Sequence, residues 1–211
     1  MFQKFPSLTR FSHGWTITEK LDGTNAAVVI QNVTTLHDPF GSEAPIWIDP
    51  ATGMGVWAQS RSKLITPGKG TDNHGFAQFV KDNAEALVAT LGEGYHFGEW
   101  VGKGINKRGY NLDHKVFALF NTARWTGVEL PDRVRVVPIL AEGYIDNPGT
   151  AARGAMATLK MNGSAFAPGF MDPEGVVMRH GPSGTLFKKT FDYDEQGKWA
   201  ENEQRRAATI S

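Results

Sequence analysis

The 211-residue sequence contains no cysteine. That absence excludes disulfide frameworks, cysteine-ligated zinc sites and a cysteine nucleophile. No charge of one sign prevails either, because 22 Lys and Arg residues balance 22 Asp and Glu residues. The broad positive surface of many nucleic-acid-binding proteins is therefore excluded, although a local basic groove is compatible with this balance.

Long apolar stretches are also absent. No run approaches the roughly 20 residues that a membrane-spanning helix needs. The opening residues, MFQKFPSLTR, lack the apolar segment of a signal peptide. We therefore expect a cytoplasmic protein without a membrane anchor. Hydrophobic residues make up 40% of the chain, which is enough for a sizeable core and excludes disorder.

Short runs with a β-strand pattern dominate the chain, and its 24 glycines and 11 prolines are spread among them. Seven strands are predicted, over residues 15–20, 26–31, 95–100, 115–120, 133–140, 175–178 and 185–190. Because helices and strands do not alternate strictly, the pattern favours an α+β fold of largely antiparallel sheets with flanking helices.

Two helices are predicted from apolar residues at helical spacing. The first covers 76–91, with Asp72 or Asn73 as its cap and Gly92 as its end. The second covers 151–161, with Thr150 as its cap and an Asn-Gly pair as its end. Region 37–55 is rich in Pro, Gly and Asp and predicts an inserted loop or hairpin, and 192–211 predicts a polar tail.

One lysine stands at the end of a predicted strand. The segment from Trp15 ends its β-pattern at Lys20, Asp22 and Gly23 follow, and a second apolar run begins at Ala26. An Asp-Gly pair between two strands is a common hairpin signal. On that interpretation, Lys20 is merely a solvated residue beside a turn.

Four further segments place polar residues where strands are otherwise apolar, at 60–63, 97–100, 174–179 and 186–190. Together with Lys20-Leu-Asp-Gly, this ordered set resembles the motifs of covalent nucleotidyltransferases. That superfamily contains ATP-dependent DNA ligases, RNA ligases and mRNA capping enzymes, whose core motif is Lys-x-Asp-Gly. The motifs extend over 19–189, about four-fifths of the chain.

The residues after the lysine motif favour one branch. Capping enzymes and many DNA ligases carry an arginine where this chain has Asn25, and Lys-x-x-Gly-Thr-Asn is typical of RNA ligases of the phage RNA ligase 2 type. Segments 102–109 and 168–177 are also similar to small phage members. The chain thus resembles a small phage RNA ligase, which implies a nucleotidyltransferase domain with an ATP-grasp-like ligase adenylation fold.

The resemblance implies a covalent lysyl-AMP intermediate on Lys20. AMP from ATP would pass to a 5′-phosphate end, and a 3′-hydroxyl would then displace it and seal the strand. An ordinary lysine amine has a pKa of about 10.4, and burial or neighbouring positive charge lowers it enough to make a nucleophile. Arg61, Lys188 and a bound Mg²⁺ are the positive charges that we expect nearby.

The other catalytic and nucleotide-binding residues follow from the same resemblance. Glu99 and Glu174 are the expected ligands of Mg²⁺ or Mn²⁺, since hard cations prefer carboxylate oxygens, and Glu99 also holds the ribose. Glu174 and Lys188 join Lys20 as catalytic residues. Lys188 and Lys189 are both expected at the α-phosphate, but neighbouring strand residues face opposite ways, so only one of them can face the pocket squarely. The resemblance favours Lys188, because Leu-Phe precedes it as in related ligases.

Aromatic residues are expected at the adenine. Phe120 matches the residue that stacks on the base, and Phe117 is the alternative. For each of them, a place in the hydrophobic core is an equally good interpretation. Glu19, immediately before the nucleophile, is a further adenine contact implied by the resemblance.

Contacts to the nucleic acid are expected from two sources. Asn25 and Arg61 match positions that contact phosphates or the RNA end. The Gly-rich loop 102–109 offers Lys103, Lys107 and Arg108 to the nucleic-acid backbone, and the alternative is an exposed loop without a role.

Residues 1–191 are predicted to form one nucleotidyltransferase domain, without an OB domain or a C-terminal RNA-binding domain. We expect a monomer in the cytoplasm of a phage-infected bacterium, acting in RNA repair on RNA ends or nicked duplexes, with an accessory protein or guide structure aiding substrate binding. The alternatives are a minimal ATP-dependent DNA ligase, a degenerate domain that binds ATP or RNA ends without catalysis, and a guanylyltransferase.

Overall fold

A computed structural model of the protein describes residues 14–33 and 43–194. The strands in chain order are β1 (Gly14–Lys20), β2 (Thr24–Asn32), β3 (Trp47–Ile48), β4 (Met54–Ser60), β5 (Leu64–Ile65), β6 (Gly94–Val101), β7 (Val116–Leu119), β8 (Val134–Val136), β9 (Ile139–Tyr144), β10 (Gly175–His180) and β11 (Leu186–Thr190). The helices are α1 (Phe76–Asp82), α2 (Ala84–Leu91), α3 (Thr122–Trp125), α4 (Pro148–Asn162) and α5 (Phe191–Asp194).

The described residues fall into two compact units. The first contains 14–20, 139–161 and 174–194, and the second contains 21–33, 43–138 and 162–173. In both units the strands pair antiparallel, apart from β7 and β8, which pair parallel. The predicted α+β fold with largely antiparallel sheets is therefore confirmed.

The first unit is a four-stranded sheet with the order β11-β10-β1-β9. Side chains alternate along β1, so that Ile17 is buried on one face while Lys20 and its alternate neighbours lie on the other. Ile17 and Val176 pack with Ala152, Met156 and Leu159 of α4. The helix therefore covers one face of the sheet in this unit.

The start of α4 differs from the prediction. The helix begins at Pro148, and the side chain of Asn147 accepts a hydrogen bond from the backbone N of Thr150 at 2.9 Å. Asn147 is thus the cap and Pro148 takes the first helical position, where its missing N–H has no cost. Thr150 lies inside the helix, so its prediction as the cap is wrong, whereas the predicted end at Asn162 is confirmed.

The second unit is a seven-stranded sheet with the order β3-β4-β2-β6-β7-β8 and with β5 beside β4. One face packs against α1 and α2 through Val28 and Trp100 of the sheet and Phe76, Val80 and Leu87 of the helices. Alternation along β6 therefore places Glu99 on the face opposite these helices.

The predicted helix over 76–91 is two helices. Asn83 interrupts it with a φ of −115°, and its side-chain Nδ2 donates to the carbonyl oxygen of Phe79 at 2.8 Å. The backbone N of Asn83 also donates to that oxygen at 3.1 Å, so Asn83 is the C-cap of α1. Gly75 is the N-cap residue of α1, but the carboxylate of Asp72 accepts from the backbone N of Ala77 and Gln78 at 2.8 and 3.1 Å and so satisfies donors of the first turn. Gly92 ends α2 as predicted.

Other boundaries also differ from the prediction. The predicted strand 133–140 is two strands, β8 and β9, with Pro138 between them, where the ring leaves no N–H for a ladder. The part of β4 beyond residue 55 and the short β5 were not among the predicted strands. The hairpin within 37–55 is confirmed for its described part, in which β3 pairs with β4; residues 37–42 of that prediction, and 195–211 of the predicted tail, lie outside the described residues.

The Asp-Gly pair after Lys20 does not form a hairpin. β1 pairs with β9 and β10, whereas β2 pairs with β4 and β6. A Cβ on Gly23 would overlap the Trp100 carbonyl oxygen and lie 2.8 Å from Cγ of Glu99. Glycine is therefore required here by the close approach of the chain to β6, and the hairpin interpretation of Lys20 is wrong.

Candidate active site

Lys20 lies beside Glu174 in the first unit. Lys20 is the last residue of β1 and is opposite Gly175 of β10, and its Nζ donates to Oε1 of Glu174 at 2.6 Å. The two side chains are 23% and 17% exposed. The nucleophile predicted from the sequence is thus partly buried and paired with a carboxylate.

The second carboxylate oxygen of Glu174 has a different environment. Oε2 is buried and has no hydrogen-bond partner among the residues that the structure describes. A buried carboxylate oxygen without a partner is energetically costly, and a bound cation relieves that cost. The Glu174 carboxylate therefore has the donor atom that a divalent metal requires.

A glycine fixes the backbone next to Glu174. Gly175 has a φ of +152°, and a Cβ at this position would overlap the carbonyl oxygen of Lys189 and lie 2.7 Å from Cα of Thr190. The backbone N of Phe191 donates to the carbonyl oxygen of Glu174 at 3.0 Å. The backbone of Glu174 is therefore held against the end of β11.

The strand register separates Lys188 from Lys189. Lys188 is opposite Val177, and Val177 is opposite Thr18, two residues before Lys20. Directly opposite residues share a face of a sheet, so Lys188 lies on the face of Lys20. Lys189 is opposite Val176, which is opposite Glu19, and this row lies on the other face. Glu19 itself is only 2% exposed.

In the second unit, three predicted residues share one face of the seven-stranded sheet. Asn25 is opposite Glu99, and Glu99 is opposite Ala118. Phe120 follows on the same face two residues after Ala118, and its backbone N donates to the carbonyl oxygen of Phe97 at 3.0 Å. The face opposite the helices therefore carries an amide, a carboxylate and an aromatic ring.

The two candidates for adenine stacking have different environments. Phe120 is 42% exposed, whereas Phe117 is completely buried and packs in the core with Phe76 and Trp100. A ring in the core has no face free for a base. The structure therefore leaves Phe120 as the accessible candidate.

Two exposed aromatic residues on the same face were not singled out from the sequence. Tyr95 and Phe97 alternate with Glu99 along β6, and their rings stack with centroids 6.0 Å apart. Both are exposed. The alternation of aromatic and other residues before Glu99 was a signal that could have identified them.

The predicted basic contacts to nucleic acid have different surroundings. Arg61 is exposed in the tight turn between β4 and β5, which the hydrogen bond from Ser60 N to Lys63 O closes at 2.9 Å. Lys103 is also exposed. Arg108 is buried instead, with its Nε 3.1 Å from Oδ2 of Asp172. This guanidinium is occupied by protein carboxylates, contrary to the prediction that it contacts a nucleic-acid backbone.

Two loop residues, Asn106 and Tyr110, were missed as neighbours of the lysine motif, and Asp172 was missed as the partner of Arg108. Asn106 donates to Oδ1 of Asp22 at 2.8 Å, and the Tyr110 hydroxyl accepts from the backbone N of Asp22 at 2.8 Å. No local sequence pattern connects these residues with Asp22, because the contacts span more than 60 positions of the chain.

The part of the chain that the structure describes contains neither a cluster of metal-ligating side chains nor a membrane-spanning helix. Within residues 14–33 and 43–194, no three His, Asp or Glu side chains converge in a group that could hold a metal ion. None of the described helices is both long and apolar enough to cross a membrane.

Comparison with known proteins identifies the family. The model of the RNA ligase family matches residues 13–190, so the chain belongs to the RNA ligase family of the nucleotidyltransferase superfamily. This confirms the resemblance to an RNA ligase. None of the curated proteins matches the sequence.

Solved structures of the Naegleria gruberi RNA ligase share the fold. Naegleria gruberi RNA ligase with PPi is 17% identical and has a TM-score of 0.54, with 86% of this chain and 50% of that chain covered. A mutant of that ligase with ATP and Mn has a TM-score of 0.53 at 17% identity, with 85% and 50% covered. Another mutant, with AMP and Mn, has a TM-score of 0.53 at 17% identity, with 86% and 50% covered. The present chain thus spans about half the length of these ligases.

Proposed function

We propose that the protein is an ATP-dependent RNA ligase that forms a covalent lysyl-AMP intermediate on Lys20. The pairing of Lys20 with Glu174 carries this proposal, because it joins a strand-end lysine to a carboxylate that has a free buried oxygen. Membership of the RNA ligase family supports it. The Naegleria gruberi ligase structures with ATP and Mn, AMP and Mn, and PPi are consistent with the same first step.

The first step transfers AMP to the lysine. The deprotonated Nζ of Lys20 attacks the α-phosphorus of ATP, a bond forms between nitrogen and phosphorus, and the bond from that phosphorus to the β-phosphate oxygen breaks. Pyrophosphate leaves, and the nitrogen releases its second proton to solvent. Glu174 is hydrogen-bonded to Nζ and orients the amine for this attack. Its carboxylate accepts the first proton, which the lysine ammonium loses before the attack.

Two further steps seal the strand. An oxygen of the RNA 5′-phosphate attacks the AMP phosphorus and breaks its bond to Lys20, which recovers a proton. The RNA 3′-hydroxyl then attacks the phosphorus of the activated 5′-phosphate and loses its proton to solvent, the phosphodiester bond forms, and the bond from that phosphorus to the AMP oxygen breaks and releases AMP. The same lysine and phosphate-binding residues serve the first two steps.

Charge on the phosphate oxygens requires positive partners. Lys188 lies on the face of Lys20, so we assign to it the contact with the α-phosphate. Lys189 lies on the other face, and its expected phosphate contact is the less direct of the two. We propose Arg61 as a further phosphate contact.

A divalent cation, Mg²⁺ or Mn²⁺, is part of the proposal. When bound, such an ion neutralises charge on phosphate oxygens. Glu174 would hold it through the buried Oε2, and Glu99 is proposed as a second carboxylate ligand. The Mn in the Naegleria gruberi ligase structures supports a divalent metal in the family fold.

The nucleoside is proposed to contact three residues. Phe120, exposed on its sheet face, stacks on adenine, and Glu99 on the same face accepts from the ribose hydroxyls. Glu19 is proposed as a further adenine contact. Stacking of an aromatic ring on a base contributes about 1–3 kcal/mol, so Phe120 would account for much of the affinity for the base.

The nucleic-acid contacts and setting are also proposals. Asn25 and Arg61 would contact phosphates or the RNA end, and Lys103 would contact the nucleic-acid backbone. We propose a phage-type enzyme that repairs RNA in the cytoplasm of an infected bacterium, acts as a monomer without a membrane, and receives help from an accessory protein or a guide structure in the substrate.

Sealing assays test the substrate class. Nicked duplexes with a 5′-phosphate are incubated with protein, ATP and Mg²⁺, with RNA or DNA on the 3′-hydroxyl side. We expect joining of the RNA substrate. Joining of DNA alone would favour the minimal DNA ligase, labelling by GTP alone would favour a guanylyltransferase, and binding of ATP without AMP transfer would favour the degenerate domain.

A further inference from the structure

The loop between β6 and β7, residues 102–115, holds the Asp22-Gly23 turn through several polar contacts. The side-chain Nδ2 of Asn106 donates to Oδ1 of Asp22 at 2.8 Å and to the carbonyl oxygen of Gly23 at 2.6 Å. The backbone N of Asp22 donates to the Tyr110 hydroxyl at 2.8 Å. The guanidinium of Arg108 lies 3.7 Å from Oδ2 of Asp22. Both the carboxylate and the backbone of the turn are therefore held.

The loop itself is anchored inside the second unit. Arg108 is 8% exposed, and its Nε donates to the carbonyl oxygen of Asp172 at 2.8 Å while Nη2 donates to Oδ1 at 3.3 Å. Tyr110 is buried, with its ring centroid 4.8 Å from that of Phe170. Because these side chains are fixed by packing and charge, the groups that they present to Asp22 are fixed as well.

Leu21, which lies between Lys20 and Asp22 in the chain, is held by packing. It is buried in the same apolar cluster as Tyr110 and Phe166. Leu21, Asp22 and Gly23 are thus all held by side-chain packing, by hydrogen bonds or by the close approach of Gly23 to β6. These are the three residues that follow Lys20 in the chain.

We propose that Asn106, Arg108 and Tyr110 are positioning residues for the lysine nucleophile, acting through Asp22. The catalytic part of this inference rests on the proposed function. In-line attack needs the reacting atoms about 3–3.5 Å apart, and a misplacement of about 1 Å can cost 100-fold in rate. Because Leu21 follows Lys20 directly in the chain, a held backbone over residues 21–23 limits the backbone conformation of Lys20, from which the amine extends. The carboxylate of Asp22 accordingly serves as the anchor of a guanidinium and an amide.

Two variants remove single contacts without opening the core. Asn106→Ala removes two hydrogen bonds from an exposed side chain, and Tyr110→Phe keeps the buried ring while removing the hydroxyl. Asp113→Ala, a change at an exposed residue of the same loop, is the matched control. The rate of protein–AMP formation is measured with labelled ATP and Mg²⁺ in a single turnover, as a function of ATP concentration.

We expect Asn106→Ala to lower the rate at saturating ATP by about tenfold, as misplacement of a nucleophile predicts, with the half-saturating ATP concentration unchanged. Asp113→Ala should match the wild type. A rate unchanged by Asn106→Ala, a change confined to half-saturation, or an equal loss in Asp113→Ala would overturn the inference.

Amide hydrogen exchange gives a readout that does not need activity. Tyr110→Phe should speed exchange of the Asp22 amide proton, because its acceptor is lost, while the melting temperature stays close to that of the wild type. Unchanged exchange in an active protein would overturn the inference alone. A wild type that forms no adduct would overturn the proposed function and the catalytic part of the inference together.

Discussion

Lys20 and Lys188 present their side chains on the same face of the four-stranded sheet. The register runs from Lys188 to Val177 and from Val177 to Thr18, which alternates with Lys20 along β1. Lys189, the next residue, lies on the opposite face in the row of Val176 and Glu19. The two adjacent lysines therefore have different positions relative to the proposed nucleophile, in agreement with the preference for Lys188 in the sequence analysis.

This difference predicts unequal effects of two neighbouring substitutions. Lys188→Ala should slow protein–AMP formation by about 100-fold, because removal of one charged partner of a reacting phosphate has an effect of that order. Lys189→Ala should have a clearly smaller effect. Single-turnover labelling with ATP measures both rates. A larger loss in Lys189→Ala would contradict the assignment from the register.

Substitution of Glu174 is predicted to change the Mg²⁺ concentration at which protein–AMP formation is half-maximal. Glu174→Gln keeps the shape of the side chain but removes the charge that the buried Oε2 offers to a cation, so half-maximal protein–AMP formation should need about tenfold more Mg²⁺ or more. Glu142→Gln, at an exposed position on β9 of the same sheet, is the matched control. Equal Mg²⁺ dependence in both variants would remove Glu174 from the metal site.

Alanine substitutions of Phe120 and Phe117 are predicted to have different effects, the first on the affinity for ATP and the second on the free energy of unfolding. Phe120→Ala should raise the half-saturating ATP concentration about tenfold, since base stacking contributes about 1–3 kcal/mol, with the melting temperature little changed because the ring is exposed. Phe117→Ala should lower the free energy of unfolding by about 3–5 kcal/mol, as is usual for a core phenylalanine. Denaturant titration and ATP titration distinguish the two. A strongly destabilised Phe120→Ala would show that its ring belongs to the core.

Because of the environment of His96, we predict that the free energy of unfolding depends on pH. Burial lowers the pKa of its imidazole below the ordinary 6.5, and the nearby positive charge of Arg124 also lowers it, against the opposing hydrogen bond to the Gly92 carbonyl. Below pH 6.5 the unfolded chain therefore binds a proton more readily than the folded protein does. The stabilising contribution is present above that pH and is lost as the pH falls through the folded-state pKa.

Denaturant titrations at neutral and mildly acidic pH measure this dependence. His96→Gln keeps a donor for Gly92 but cannot be protonated in this range, so it should reduce the loss of stability on acidification. An equal loss in the wild type and the variant would show that other groups determine the pH dependence.

The strands that carry the motifs could be predicted because their patterns are local. The sequence shows the alternation along β1 and β6 and the position of Lys20 three residues before Gly23. The break at Asn83 was not predictable from apolar spacing, because it lies in the backbone conformation of one residue, with φ −115°, while the apolar side chains keep their helical spacing on both sides.

The pairing partners could not be predicted for a different reason. An Asp-Gly pair indicates a change of chain direction but does not decide whether the flanking strands pair with each other. Here β1 pairs with the distant β10, and β2 with β6. The burial of Arg108 likewise depends on Asp172, which is remote in sequence, so an arginine of a Gly-rich loop gave the misleading expectation of a nucleic-acid contact.

Covalent labelling of Lys20 is the most direct test of the proposed mechanism. The protein is incubated with α-labelled ATP and Mg²⁺, denatured and digested, and the peptide that carries AMP is identified by mass spectrometry. We predict an acid-labile adduct on Lys20 in the wild type and none in Lys20→Ala. Equal labelling of Lys20→Ala, or an adduct on another residue of the wild type, would contradict the assignment of the nucleophile.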